Sequence, residues 1–256
     1  MKKKVYLTFR LRSLVACTLA FLLGFSSVLL IFSGGSASAS GEASATVGSV
    51  SESSYNGITV IIDAGHGGED GGTQSSDGTL EKDINLQISL RLEKLLNMMG
   101  YNTVMIRSED KLIYSGYPET TRARKVSDLN NRLEIANSFP DAIFISIHQN
   151  YFTQSKYSGA QVFYSPNNEN SKRLAESIQE SIVSLIQPDN KRKIKKSGSD
   201  IFLLDRIGIP AVMVECGFMS NPSDALLLRD ETYQKKTALA IADGINKYCL
   251  YLQEEI

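Results

Sequence analysis

The chain has 256 residues, 42% apolar and 21% charged, with 19 Gly and 6 Pro, a profile that excludes disordered, collagenous and disulfide-dense classes. Its net charge of −1 hides an asymmetry. Five of the 27 basic groups and none of the 28 acidic ones lie in residues 1–39, which leaves 22 against 28, a net of −6, for the remainder. Phosphate contacts need clustered Lys and Arg, so a mildly acidic body excludes nucleic acid as an expected partner.

The basic stretch from Lys2 to Arg12 precedes an apolar run from Leu14 to Phe32 and the small residues Ser33 to Ser40, where Ala37-Ser38-Ala39 fits a signal-peptidase site. The run is also long enough to span a bilayer. Residues 1–39 are therefore read as a signal peptide or an N-terminal membrane anchor, cleavage being favoured by the small-residue flank. Either way the protein is expected to act outside the cytoplasmic membrane and to meet a membrane only through this segment. Leu14-Val-Ala-Cys17 superficially resembles a lipoprotein box, but its apolar stretch follows the cysteine instead of preceding it, so lipidation is rejected. Residues 40–56, rich in Ser, Gly and Ala, read as a flexible linker. Residues 57–256 have no further linker-like break and read as one catalytic domain.

Within that domain, Ile58–Ile62 reads as a strand and Glu81–Met99 as a helix, its apolar residues spaced at a helical period and closed by Gly100. Tyr101–Ile106 is a second strand. The polar stretch Ser108–Val126 reads as a loop, and Leu129, Leu133 and Ala136 mark a short helix. Ala142–Ile147 is a continuous apolar run, as expected for a strand covered on both faces. Gly159–Tyr164 reads as a strand, Leu174–Ile186 as a helix, and Ile201–Leu204 and Ala211–Val214 as strands. Asn221-Pro222 is a helix start, and the last helix covers roughly Thr232–Leu252. This alternation predicts a single α/β domain built on a mostly parallel twisted sheet with helices on both faces.

Three motifs fall at the C-terminal ends of predicted strands: Asp63-Ala-Gly-His66-Gly-Gly68, Ser146-Ile-His148-Gln-Asn150 and Val214-Glu215-Cys-Gly-Phe218. Ligands of open α/β sheets bind in the crevice at those ends. The two histidines of the chain and a glutamate thus converge on one rim, and Glu81 starts the helix behind it. Two His and one carboxylate are a ligand set of catalytic zinc, and a second glutamate is then free to move the proton of an activated water. Geometry alone leaves the roles of Glu81 and Glu215 exchangeable. Each feature also has an ordinary structural explanation: a hydrogen-bonded histidine, a first-turn glutamate, a glycine turn.

Together with Leu80-Glu81-Lys-Asp-Ile-Asn-Leu86 and Ile145-Ser-Ile-His-Gln-Asn150, and with the last motif extended to Val214-Glu-Cys-Gly-Phe-Met-Ser-Asn-Pro222, these segments resemble in order and spacing the zinc-dependent N-acetylmuramoyl-L-alanine amidases over essentially all of 57–250. Within that family the chain is most similar to the germination-specific type of the spore cortex, through the Arg-containing stretch from Ser115 to Val126, the Tyr157–Tyr164 segment and the single-domain build. The resemblance implies Zn²⁺ held by His66, Glu81 and His148, and Glu215 as the catalytic acid/base. It also implies cleavage of the amide between N-acetylmuramic acid and L-alanine of peptidoglycan, in spore cortex processing. The chain departs from the family pattern at Ala64, Gln149 and Cys216, none of which removes a ligand.

Asp63 is a candidate to orient His66, and Asn150 and Arg132 are candidates for substrate binding. Arg122 and Arg124 read by default as a solvated loop and helix face, and the run Lys191–Lys196 as a soluble loop. Cys216 and Cys249 read as two buried thiols. Two other function classes compete: a cysteine hydrolase using Cys216 with a histidine, and a non-catalytic or accessory-dependent wall-binding protein on the same fold. An activating protein that completes the site would find its contact surface in the polar 108–126 segment.

Overall fold

The structure, a computed structural model, describes residues 58–116 and 118–254. The expected N-terminal segment 1–39 and the linker 40–56 lie outside the described residues. Among the described residues no helix is long and apolar enough to cross a membrane.

Among the described residues twelve elements follow in chain order: β1 (Thr59–Ala64), α1 (Glu81–Met98), β2 (Asn102–Met105), α2 (Thr121–Asn137), β3 (Ala142–Asn150), β4 (Gln161–Tyr164), α3 (Asn170–Leu185), β5 (Lys195–Lys196), α4 (Phe202–Arg206), β6 (Ala211–Phe218), α5 (Pro222–Arg229) and α6 (Glu231–Glu254). The strands form one sheet in the order β2-β1-β3-β6-β4-β5. The pairs β2·β1, β1·β3, β3·β6 and β4·β5 are parallel, and β4 runs antiparallel to β6. The expected α/β fold, mostly parallel with helices on both faces, is the fold observed.

Side-chain alternation along the strands sorts the core into two layers. Val60, Ile62, Ile143, Ile145, Ile147, Val212 and Val214 face α1, α3 and α6, whose Ile88, Leu92, Leu174, Ile178, Ile241 and Ile245 cover them. Ile61, Phe144 and Ala211 face the opposite way, against Ala136 of α2 and Leu203 and Leu204 of α4. This alternation has a direct consequence for the rim. His148 continues the row of Phe144, and Glu215 continues the row of Ala211, so both project from the α2/α4 face at the strands' C-terminal ends. Glu81, on a helix of the other face, reaches over the same edge.

Three expectations need correction. Ile201–Leu204 is not a strand: Phe202–Arg206 is a single helical turn that buries Leu203 and Leu204. A four-residue apolar run has no periodicity to separate the two. The second helix is not short and the 108–126 stretch is not all loop. Thr120 caps α2, its hydroxyl accepting the Ala123 N–H at 3.1 Å, and the helix runs 17 residues behind a polar face. Finally, the run 191–196 is not loop throughout, since Lys195 and Lys196 pair with Phe163 and Tyr164 as an edge strand. The helix start at Asn221 is as expected, its side chain accepting from the N–H groups of Ser223 and Asp224.

Candidate active site

β1 ends at Ala64, and the chain turns through glycines to reach α1. His66 adopts φ 61°, the left-handed region that costs a branched-at-Cβ or bulky residue energy and persists only where the surroundings hold it. Its holders are visible. Asp70 Oδ2 lies 2.9 Å from His66 Nδ1, and Glu81 Oε2 lies 3.3 Å from His66 Nε2. The other oxygen of Glu81 lies 2.9 Å from His148 Nδ1 and accepts the N–H of Gln149 at 3.0 Å. A register shift between His148 and Asn150 in the β3·β6 ladder accompanies that turn of the Gln149 N–H toward Glu81. The two imidazole rings meet edge to face with centroids 4.9 Å apart.

Glycine is required beside this cluster. A Cβ on Gly65 would occupy the space of the His148 ring, and one on Gly72, at φ 69°, would meet Glu81 Oε2. The backbone therefore approaches both side chains closer than any other residue permits.

His66, Glu81 and His148 each offer one ligand atom, all within 4.8 Å of one another. Donors placed about 2.0–2.2 Å from a tetrahedral ion are separated by about 3.3–3.6 Å, and two nitrogens with one carboxylate oxygen suit zinc. The electrostatics agree. Burial disfavours a charged His66, but its bonds to Asp70 and Glu81 outweigh this and raise it to about 9. Burial likewise opposes ionisation of Glu81, and the two histidines overcome it and hold the carboxyl far below its usual range. The cluster thus attracts positive charge.

Glu215 is opposite His148 in the β3·β6 register. Burial raises its carboxyl to about 7; the Glu81 charge adds to the rise, while His148 and His66 oppose it. Its Oε2 is buried without a hydrogen-bond partner. Such an orphan atom beside a trio of donors fits a site that takes up a polar group. The donor set and the orphaned oxygen together fit a metal-assisted site. They also separate the two glutamates, which spacing had left exchangeable: Glu81 lies between the histidines and Glu215 beside them.

One positioning expectation is corrected. Asp63 does not orient His66; Asp70 does. Asp63 instead meets Arg132 Nη1 at 2.5 Å and accepts the Ser146 hydroxyl at 2.7 Å. Arg132, the other substrate-binding candidate, lines the crevice beside both histidines with its guanidinium engaged. It is 2% exposed, its Nε donates to Asp128 at 2.7 Å, and its Nη atoms also donate to the carbonyls of Ala64 and His66 at 3.0 and 2.8 Å. Its bonds join Asp128 of α2 to the turn that carries His66, and so hold that turn. Asn150, by contrast, lines an open pocket next to Phe218.

Arg107 escaped the sequence reading. Buried after β2, it donates to the carbonyls of Ala64, Gly65, Lys82 and Glu109 at 2.7–3.0 Å and so ties the His66 turn to the start of α1. The signal was an arginine directly following the apolar end of a strand. Asp70, four residues after His66, was legible only as part of a polar turn.

The cysteine alternative fails on the same geometry. Cys216 and Cys249 are both free and buried. Burial, reinforced by the Glu215 charge, drives the Cys216 thiol far above its ordinary value, the opposite of an activated nucleophile.

Residues 60–247 match the N-acetylmuramoyl-L-alanine amidase family. The germination-specific N-acetylmuramoyl-L-alanine amidase of Bacillus subtilis is 35% identical over 196 residues, covering 75% of this chain and 80% of that one. Among solved structures, the CwlD amidase from Clostridioides difficile, in complex with the GerS lipoprotein, is 44% identical with a TM-score of 0.73, covering 76% of this chain and 99% of that one. The amidase AmiC2 of Nostoc punctiforme is 31% identical with a TM-score of 0.63, covering 77% and 97%.

Proposed function

The chain belongs to the N-acetylmuramoyl-L-alanine amidase family, a peptidoglycan amidase by fold and sequence, and from that we propose a zinc-dependent mechanism in which His66, Glu81 and His148 hold the ion and Glu215 moves the proton. The observation that carries the reading is Glu81 set between the two histidines, one oxygen toward each. When bound there, zinc supplies Lewis-acid activation of water and of the substrate carbonyl.

The chain's own residues do the rest. Asp70 fixes the His66 ring through Nδ1, leaving Nε2 toward Glu81 and the site. Glu215 accepts a proton from the attacking water as its oxygen bonds the lactyl carbonyl carbon. It then returns that proton to the L-alanine nitrogen as the C–N bond breaks. The products are a lactyl carboxyl on the muramic acid and a free amino group on L-alanine, so atoms and charge balance. Asn150, half-buried on the same rim, is proposed to hold the substrate.

The spore cortex is the proposed setting, supported by the germination-specific and CwlD relatives. The relative solved with a lipoprotein supports the companion proposal that an accessory protein activates this chain. Action is accordingly placed outside the cytoplasmic membrane.

The test is product analysis on isolated muramoyl-peptide. New L-alanine amino termini and muramic carboxyls, lost on chelation and restored by Zn²⁺, are expected. Turnover that persists without metal contradicts the mechanism. Metal uptake without turnover, relieved by a partner lipoprotein, gives the accessory-dependent form of the reading.

A further inference from the structure

The cations around the rim differ in one respect. On the side of α1 and α2, three of them are paired: Arg124 with Glu69, Lys125 with Asp70, and Lys82 with Asp110. On the side of β4, Arg192 and Lys195 line a pocket of about 290 Å³ with Asn150, Gln161, Tyr157 and Phe218, and no carboxylate lines it. Among the described residues neither Arg192 nor Lys195 has an ion-pair partner.

Arg192 is held ready. Asn190 Oδ1 accepts its backbone N–H at 2.9 Å, its Nε donates to the Ser158 carbonyl at 2.8 Å, and its Nη1 donates to Gln161 Oε1 at 3.1 Å. Its guanidinium lies 4.4 Å from the centre of the Phe218 ring and 5.9 Å from that of Tyr157. Neither side-chain bond uses Nη2. A stacked guanidinium with one edge unused recognises a planar carboxylate without further ordering. Lys195 Nζ, 5.5 Å from the centre of the Phe163 ring, adds a second positive charge.

Position relates this pocket to the scissile bond. Gln161 is opposite Glu215 in the antiparallel β4·β6 pair, as His148 is on the other side in the β3·β6 pair. With strands about 4.8 Å apart, the group bonded to Gln161 sits roughly 5–10 Å beyond Glu215. At about 3.3–3.6 Å per residue, one alanine carries the carboxyl of the next residue about 7 Å from the scissile nitrogen. The glycan next to the bond is neutral, whereas the stem peptide is acidic at the residue after L-alanine.

We propose that the Arg192–Lys195 pocket is the subsite for the peptide side of the substrate, and that it selects a free carboxylate on the glutamate following L-alanine over its amide. The proposal rests on the amidase reading for its orientation.

Two muramoyl-peptides differing only in carboxylate or carboxamide at that glutamate test it on the full chain. The wild type is expected to favour the acid in kcat/KM on the order of tenfold, as for a hydrogen bond to a charged group. Arg192→Gln is expected to bring the ratio toward one through KM, and Lys195→Gln, at an exposed edge position where folding is not at risk, to lower it by less. Equal cleavage of both peptides by the wild type, or a ratio untouched by both variants, overturns the subsite. Titrating the released peptide and its amide into the same proteins gives a readout independent of turnover. Preferential binding of the acid, lost in Arg192→Gln, supports the subsite even if neither muramoyl-peptide is cleaved, in which case it is turnover by the unaided chain that fails. Equal binding of the two peptides overturns the subsite.

Discussion

Two carboxylates fix three of the four imidazole nitrogens in this protein: Asp70 at His66 Nδ1, and Glu81 at His66 Nε2 and His148 Nδ1. Orientation of a ligand by a neighbouring acid is commonly worth about 10–100-fold in metal affinity. Asp70→Ala is therefore expected to weaken zinc by about that factor in a competition with a chromophoric chelator; unchanged affinity would remove Asp70 from the site. Gly65 sets a second residue-scale limit, because a methyl group there takes the place of the His148 ring. Gly65→Ala is expected to lose bound metal while melting near the wild-type temperature. A variant that binds metal normally would show that the ring has room the structure does not give it. The histidines and Glu215 were legible from their places after strands, and Glu81 from its place at the start of a helix. Asp70 and Arg107 were not, because a short polar turn and a single arginine carry no periodic signal.

The element that carries His66 is a turn anchored from below. Arg132, from α2, joins Asp63 at the end of β1 to Asp128 of its own helix. Sequence reasoning offered Arg132 as a substrate contact; Asp128, four residues away on the same helix, was within local reach, but Asp63 lies 69 residues away and only the fold brings it there. Breaking a buried ion pair by removing one partner costs about 3–5 kcal/mol, so Arg132→Met is expected to lose about that much in denaturant unfolding. The pH dependence has a definite sign. Burial opposes ionisation of Asp63, but Arg132, with His148 and Ser146, more than offsets it and holds the carboxyl below 3.8. A lowered carboxyl contributes stability that is present above its unfolded value and lost as pH falls through the folded one. The gap between wild type and Arg132→Met is thus expected to be full at neutral pH and to shrink below about pH 4. A gap that is constant or widens in acid contradicts this. At α2 itself, Thr120→Ala removes the hydroxyl that caps the first turn, at about 1 kcal/mol by thermal melting. Long periodic helices and buried strands were readable from the sequence; the turn at 202–206 and the edge strand at 195–196 are set by packing and pairing instead.

Across the described residues, the sheet places the groups of the proposed site in one row: His148 on β3, Glu215 on β6 and Gln161 on β4, each opposite the next. Parallel β3 and β6 bring their C-terminal ends to the same edge, and α1 on the other face contributes Glu81 over that edge. Each layer of the core therefore supplies part of one rim, which is how four short motifs spread between Asp63 and Pro222 meet at one edge. The claim that joins these scales is a division of labour between two glutamates, one a ligand and one a proton carrier. The most direct measurement is bound zinc alongside muramoyl-alanine amide cleavage for Glu81→Gln and Glu215→Gln in the same preparation. Glu81→Gln is expected to lose metal and turnover together. Glu215→Gln is expected to keep its metal and lose turnover by about 10²–10⁴-fold. A Glu215→Gln protein that loses the metal, or that keeps the metal and cleaves at the wild-type rate, would contradict the account.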